Sequence, residues 1–74
     1  MVKHDEAEKL AIEKVNEYLQ ACGCEAPLDI SRALMKLASV SGCMMVAATG
    51  QEDGIRRMKN TANFIEKSFT PAIN

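Results

Sequence analysis

The sequence predicts an all-α fold, a compact bundle of three helices whose apolar central helix assembles into a homo-oligomer. Breaks at residues 23–28 and 50–54 divide the chain into three segments, each with helical spacing of apolar residues. No segment shows the alternation of apolar and polar residues that is typical of a strand. The run 37–51 has no charged residue, although 26% of the 74 residues are charged. A helix without a polar side has to be covered on every side.

The first helix is predicted over residues 4–22, where good helix formers follow one another without glycine or proline. Acidic residues in its first turns complement the helix dipole. Its apolar residues recur at spacings of three and four and form one stripe: Ala11, Ile12, Val15, Tyr18, Leu19 and Cys22. Gly23 is predicted to end the helix in the left-handed conformation.

The second helix is predicted over residues 30–49. Pro27 pushes Ala26 towards an extended conformation, so residues 24–28 form a connector. Asp29 is the predicted N-cap, with Leu28 as the apolar residue before it, and Gly50 ends the helix. After Lys36 this helix carries no further charge.

This central helix is the predicted oligomer interface. Ala38 and Gly42 are four residues apart, so a neighbouring backbone can approach closely there. Two flanking helices cover only part of such a surface, and we expect a second subunit to cover the remainder. The predicted interface comprises Leu37, Ala38, Ser41, Gly42, Met44, Met45 and Ala48. The alternative is a monomer with a tightly wrapped central helix.

The third helix is predicted over residues 52–68, with Glu52 and Asp53 in its opening turn. Its apolar stripe comprises Ile55, Met58, Ala62, Ile65 and Phe69. Thr70 and Pro71 are predicted to end it, and residues 72–74 form a short tail. A chain of 74 residues is predicted to be a single domain, 1–74.

Catalytic and metal chemistry find little support in the sequence. Cys22, Cys24, Cys43 and His4 lack the spacing of a zinc site, because C-x-C at a helix end differs from the usual knuckle. We predict instead that the cysteines are buried free thiols. No phosphate-binding glycine motif occurs, and the paired carboxylates lie in helix-opening turns. The sequence therefore predicts a protein that is not an enzyme and has no cofactor or metal.

A polar cluster on the third helix is the candidate binding site: Arg56, Arg57, Lys59, Asn60 and Asn63. Guanidinium and carboxamide groups suit a phosphate-bearing ligand or an acidic partner surface. The alternative is a solvated face on which the two arginines pair with Glu52 and Asp53. A helix-turn-helix DNA reader is a third alternative, opposed by the net charge of −1 and the apolar second helix.

The predicted location is the cytoplasm, with no membrane partner. The N-terminus is charged rather than apolar. Three cysteines, an odd number, give no sign of a disulfide framework. The uncharged run is shorter than the ~20 residues that a membrane span needs.

The segments ISRALMKLASVSG and TGQEDGIRRMKNTANFIEKSF resemble small uncharacterised proteins of phages and prophages, over Ile30 to Phe69. The resemblance assigns no site residue. It implies a protein in the host-cell cytoplasm that blocks a component of host defence through protein–protein contact. An alternative from the same class is an oligomeric sponge that sequesters a phosphate-bearing nucleotide signal.

Overall fold

The computed structural model describes residues 1–69, which form three helices: α1 (His4–Cys22), α2 (Pro27–Thr49) and α3 (Gln51–Ser68). No strand occurs in this described range. The all-α prediction and the three-helix division are confirmed, but the predicted break over residues 51–54 is wrong, because α3 begins at Gln51, one residue before the predicted start. The predicted end of α3 at Thr70 and Pro71, and the tail 72–74, lie outside the described residues.

The start of α2 differs from the prediction. The helix begins at Pro27, three residues early, and Asp29 lies inside its first turn rather than at the N-cap. The Asp29 carboxylate reaches back and accepts a hydrogen bond from the Ala26 N–H at 3.3 Å. Proline suits the first helical position because the amide proton it lacks would have had no partner there. The backward hydrogen bond from the third position satisfies the amide just before the helix, so Asp29 caps α2 from within. Leu28 also lies inside the helix and is exposed.

Two glycines with positive φ end α1 and separate α2 from α3. Gly23 has φ 68° and ψ 39°, the predicted left-handed conformation, and its N–H donates to the Gln20 carbonyl. Gly50 is the single residue between α2 and α3, with φ 98° and ψ 160°. That combination is open essentially only to glycine, because a side chain would collide with the backbone.

Replacing Gly50 by Ala is therefore expected to lower the free energy of unfolding by about 1–3 kcal/mol. Urea unfolding followed by far-UV circular dichroism measures the change. Gly23→Ala is the matched control, since it also has positive φ but lies in the left-handed region that other residues reach at a cost of about 1 kcal/mol. A Gly50→Ala protein as stable as the wild type would contradict the backbone conformation described for Gly50.

The chain divides into two compact units, residues 1–37 and 38–74, and the division falls within α2. In the first unit the Tyr18 hydroxyl donates a hydrogen bond to the Ala33 carbonyl at 2.8 Å, which joins α1 to α2. Its half-buried residues on these helices are Ala7, Val15, Tyr18, Leu19, Ala33, Leu34 and Leu37. The α1 stripe is thus partly confirmed, but Ala11, Ile12 and Cys22 remain exposed.

In the second unit, the C-terminal half of α2 and the N-terminal half of α3 approach closely. Gly54 is the one fully buried residue of the described chain. A Cβ atom there would lie 2.8 Å from Val46 Cγ2 and 2.9 Å from the Val46 backbone nitrogen. A Cβ at Gly42 would lie 3.4 Å from Met58 Cε. The absence of these two side chains sets the spacing of the two helices.

No hydrophobic side chain is buried within residues 1–69. Every large apolar residue of this range is half-buried or exposed, and the most exposed within the helices and at their ends include Ile12, Met35, Val40, Met44, Phe64 and Phe69. Apolar surface left in water weakens folding by about 25 cal/mol for each Å² that is not buried. Residues 1–69 by themselves thus lack the buried aliphatic core that the composition predicts.

Candidate functional site

One face of α3 forms a polar groove with a volume of about 490 Å³. Its lining residues recur at spacings of three and four, which places them on one side of the helix. They are Glu52, Ile55, Arg56, Lys59, Asn60 and Asn63. Four of the five predicted binding residues therefore line one surface. Arg57 is not among them, and Glu52 and Ile55 were missed because the prediction considered only cations and carboxamides.

Asp53 binds both arginines of the predicted site. Arg57 Nε donates to Asp53 Oδ2 at 2.8 Å, and Arg56 Nη2 pairs with Asp53 Oδ1. The Thr49 hydroxyl donates to Asp53 Oδ2 at 2.5 Å. This local pairing is the alternative that the sequence offered for the basic cluster, although with Asp53 alone rather than with Glu52. A phosphate that approached these guanidinium groups would have to compete with the Asp53 carboxylate.

The same contacts hold the pKa of Asp53 below its ordinary value. The Thr49 hydroxyl makes the largest contribution, followed by the Arg57 hydrogen bond and the charges of Arg57 and Arg56. Asp53 also lies in the first turn of α3, where the helix dipole favours a negative charge. One ionised carboxylate thus connects the last residue of α2 to the first turn of α3.

Ionised Asp53 is expected to make stability depend on pH. Because its pKa is lower in the folded chain than in the unfolded chain, its contribution is fully present above about pH 4 and disappears as the pH falls through the lower folded value. Asp53→Asn should lower the urea midpoint at pH 7, and the difference from wild type should shrink at pH 2.5.

Glu17→Gln is the control for this pH series. It removes an ion pair with Lys14 at 3.1 Å in which both side chains are more than half exposed, and such pairs contribute little. Its midpoint should follow the wild type at both pH values. An Asp53→Asn effect of equal size at pH 7 and pH 2.5 would contradict the role of the carboxylate charge.

An apolar groove of about 560 Å³ lies between α2 and α3 within the second unit. It is lined by Ala38, Ser39, Gly42, Cys43, Val46, Gln51, Gly54, Ile55, Met58 and Lys59. Ile55 and Lys59 also line the polar groove, so the two surfaces adjoin along α3. The sequence indicated this groove through its small residues Gly42 and Gly54. A close approach of backbones was predicted at Gly42, but none was predicted at Gly54.

The predicted interface residues divide into two sets. Ala38 and Gly42 line the apolar groove, and Gly42 faces Met58 of the same chain. Ser41, Met44 and Ala48 are exposed, with 66% of Met44 accessible. The remaining two, Leu37 and Met45, are half-buried. A second subunit was predicted to approach closely at Gly42, but in the structure it is α3 of the same chain that does so.

The cysteines are not buried as predicted, since Cys22 and Cys43 are exposed and Cys24 is half-buried. On α1, Leu19 is the last half-buried residue of the apolar stripe, so Cys22 lies beyond it and is exposed. Cys43 lines the open apolar groove. The Cys24 thiol is 3.7 Å from the Asp29 carbonyl. Partial burial, followed by the charges of Cys22 and Asp29, raises the pKa of Cys24 and keeps its thiol protonated, the less nucleophilic form. Among residues 1–69, no three His, Cys, Asp or Glu side chains are grouped so as to hold a metal ion.

The central helix is long and apolar enough to cross a membrane, judged by length and composition alone. The length argument from the sequence counted only the uncharged run, whereas α2 has 23 residues. Core helices of soluble proteins pass the same test but are mostly buried, whereas no residue of α2 is buried, so the absence of a membrane partner remains a prediction.

Comparison with known proteins yields no match: no family model, curated protein or solved structure matches this chain.

Proposed function

We propose that this chain is a small non-enzymatic binding protein that self-associates through its apolar surfaces and acts by contact with another protein. The observation that carries the proposal is the absence of any buried hydrophobic side chain in residues 1–69. Large contiguous apolar surfaces on small chains are typical of interaction sites. In line with the resemblance to phage proteins, we propose a component of host defence as the target and the cytoplasm as the location.

The position of α3 favours a protein partner over a membrane. Gly54 lies against Val46 and Met58 lies opposite Gly42, so α3 runs beside the C-terminal half of α2. A span formed by α2 would bring the charges of Arg57 and Lys59, which flank Met58, into the hydrocarbon layer. Each charge costs about 2.5–3.5 kcal/mol at the centre of a membrane helix.

The polar groove suits a protein surface of mixed charge. It presents Glu52 beside Arg56 and Lys59, and Asp53 already neutralises part of the charge of Arg56. Two asparagines supply both donors and acceptors. Polar surfaces of this kind at the edge of an apolar patch are typical of the rim of a protein interface.

A second candidate function is a nucleotide sponge, and the polar groove is the observation that favours it. Arg56, Lys59, Asn60 and Asn63 offer convergent donors to a phosphate, and the adjoining apolar groove offers a surface for a base. Of the two cations that line this groove, Arg56 is paired with Asp53, whereas no ion pair of Lys59 with a carboxylate occurs among residues 1–69.

A helix-turn-helix function has less support. One residue, Gly50, separates α2 from α3, whereas the DNA-binding motif uses a turn of three to four residues.

Light scattering coupled to size exclusion, from low to high micromolar concentration, tests self-association. An assembly of two or more chains supports the proposal, whereas a mass of 8.1 kDa at every concentration would overturn it.

A thermal-shift screen with mono-, di- and cyclic nucleotides separates the two candidate functions. If none of the nucleotides shifts the thermal midpoint, the result supports protein contact. A shift that Arg56→Ala and Lys59→Ala each abolish, with far-UV circular dichroism unchanged, would replace protein contact by the sponge. Arg32→Ala, on the exposed first turns of α2, is the matched control for the loss of one positive charge.

A further inference from the structure

The apolar end of α3 is exposed in the part of the chain that the structure describes. We call Phe64, Ile65 and Phe69 the α3 tip. These residues are 64%, 51% and 72% exposed, and the tip contains both phenylalanines of the chain. A phenylalanine side chain carries some of the largest burial energy available to an interface, so two exposed rings at one helix end are costly in water.

The apolar groove between α2 and α3 is a matching receptor. Its volume of about 560 Å³ exceeds what a single ring needs, and Val46, Met58 and the backbone at Gly42 and Gly54 line it. Methionine sulfur makes favourable contacts with aromatic rings, and Met58 lies on the groove wall. The groove is open, and nothing in the described chain fills it.

The tip cannot enter the groove of its own chain. Lys59 is the last groove residue on α3, and Phe69 follows ten residues later, at the end of the same continuous helix. With a rise of 1.5 Å per residue, the helix holds Phe69 about 15 Å beyond the groove. A tip that occupies this groove therefore has to come from another molecule.

We propose that the α3 tip of a second copy of this chain occupies the apolar groove, and that the reciprocal contact fills the groove of the second copy. Each chain offers one tip and one groove, so an exchange about a two-fold axis satisfies both and closes the assembly. The inference rests on the proposed self-association and identifies its contact surface.

Charge supports an antiparallel arrangement of the two α3 helices. Asp53 in the first turn of α3 is paired with Arg56 and Arg57 of its own chain, which leaves Glu52 as the other acidic residue of that turn, and the last turn carries Lys67 beside Glu66. An antiparallel pair places Lys67 of one copy near Glu52 of the other and opposes the two helix dipoles favourably. The stripe that contains Ile55 and Met58 continues through Ile65 to Phe69, so the two stripes face each other in this arrangement.

Intermolecular cross-linking tests the contact directly. Cys43 lines the groove, and Ser68→Cys places a second thiol beside Phe69 without removing the ring; Cys22→Ser and Cys24→Ser remove the other thiols. Light and ¹⁵N-labelled chains are mixed, treated with a short bis-maleimide and digested. Mass spectrometry should find peptides that join Cys43 of one label to position 68 of the other. Asn16→Cys, exposed on α1, replaces Ser68→Cys in the control and should link far less.

A binding measurement complements the cross-link. Phe69→Ala should weaken self-association at least tenfold, because truncating a buried aromatic anchor removes much of the interface energy. Ile12→Ala, an apolar residue of α1 that is also more than half exposed, should leave self-association within about twofold of wild type. Far-UV circular dichroism should be unchanged in both.

The failures are distinguishable. An assembled wild type without the link between 43 and 68, or with equal effects of Phe69→Ala and Ile12→Ala, overturns the inference and leaves the proposed self-association intact. A wild type that is monomeric at all concentrations overturns both. Flotation with phosphatidylcholine vesicles, together with loss of the cross-link, would make a membrane the occupant and overturn the inference.

Discussion

Replacing Gly54 by Ala is expected to lower the free energy of unfolding by about 1–3 kcal/mol, the cost of forcing one methyl group into a packed contact. The new Cβ would lie 2.8–3.0 Å from three atoms of Val46, two of which are backbone atoms. The Val46 backbone is held in the last turn of α2 and cannot rotate away, so α2 and α3 would have to separate. Alanine favours helix over glycine by up to about 1 kcal/mol, which offsets part of the loss but not its sign.

Urea unfolding of Gly54→Ala against Gly42→Ala measures this effect. At Gly42 the new methyl would meet the end of the Met58 side chain at 3.4 Å, and a flexible methionine can move by a few tenths of an ångström. Gly42→Ala should therefore be neutral or slightly stabilising. If both variants lost equal stability, the close contact between Gly54 and Val46 would not exist in solution.

The thermal midpoint of the wild-type chain is expected to fall on dilution. If assembly supplies the burial that the single chain lacks, folding is coupled to association, and each tenfold dilution of a dimer lowers the unfolding free energy by about 1.4 kcal/mol. A hundredfold dilution should then lower the midpoint by about 5–10 °C. Far-UV circular dichroism at matched absorbance in cells of different path length measures it.

A protein that unfolds as a monomer shows no such dependence, which defines the contrary outcome. A midpoint that stays within one degree over this range, beside a constant mass of 8.1 kDa, would mean that the exposed apolar faces do not contribute to folding through self-association. The Phe69→Ala protein provides an internal comparison. Because its assembly should be weaker, its thermal midpoint at a high protein concentration should be close to that of the wild type at a low one.

Local features of the chain were predictable to within a few residues. Gly23 and Gly50 end helices because only glycine adopts their positive φ without strain, and this depends on the residue itself. The error at α2 arose from a competition between two capping schemes. Asp29 suits the N-cap, but Pro27 two positions earlier also suits a helix start, and the backward hydrogen bond from the Ala26 N–H to Asp29 decides between them.

The candidate site was predictable as a surface but not as a set of interactions. Helical spacing alone places Arg56, Lys59, Asn60 and Asn63 on one side of α3. The pairing of both arginines with Asp53 depends on rotamers and distances that a residue pattern does not specify. The sequence argument therefore retained both a binding face and a locally paired face.

The sequence by itself determined the helical class, the two glycine breaks and the uncharged face of the central helix, because these depend on local propensity and on spacing along one helix. Only the tertiary structure decided what meets that face. Gly54 lacks a side chain, so α3 can contact Val46, and Met58 of the same chain packs opposite Gly42. These small residues therefore make a contact within the chain. Which apolar side chains stay uncovered depends on how far apart the helices run, and that distance is a property of packing between segments.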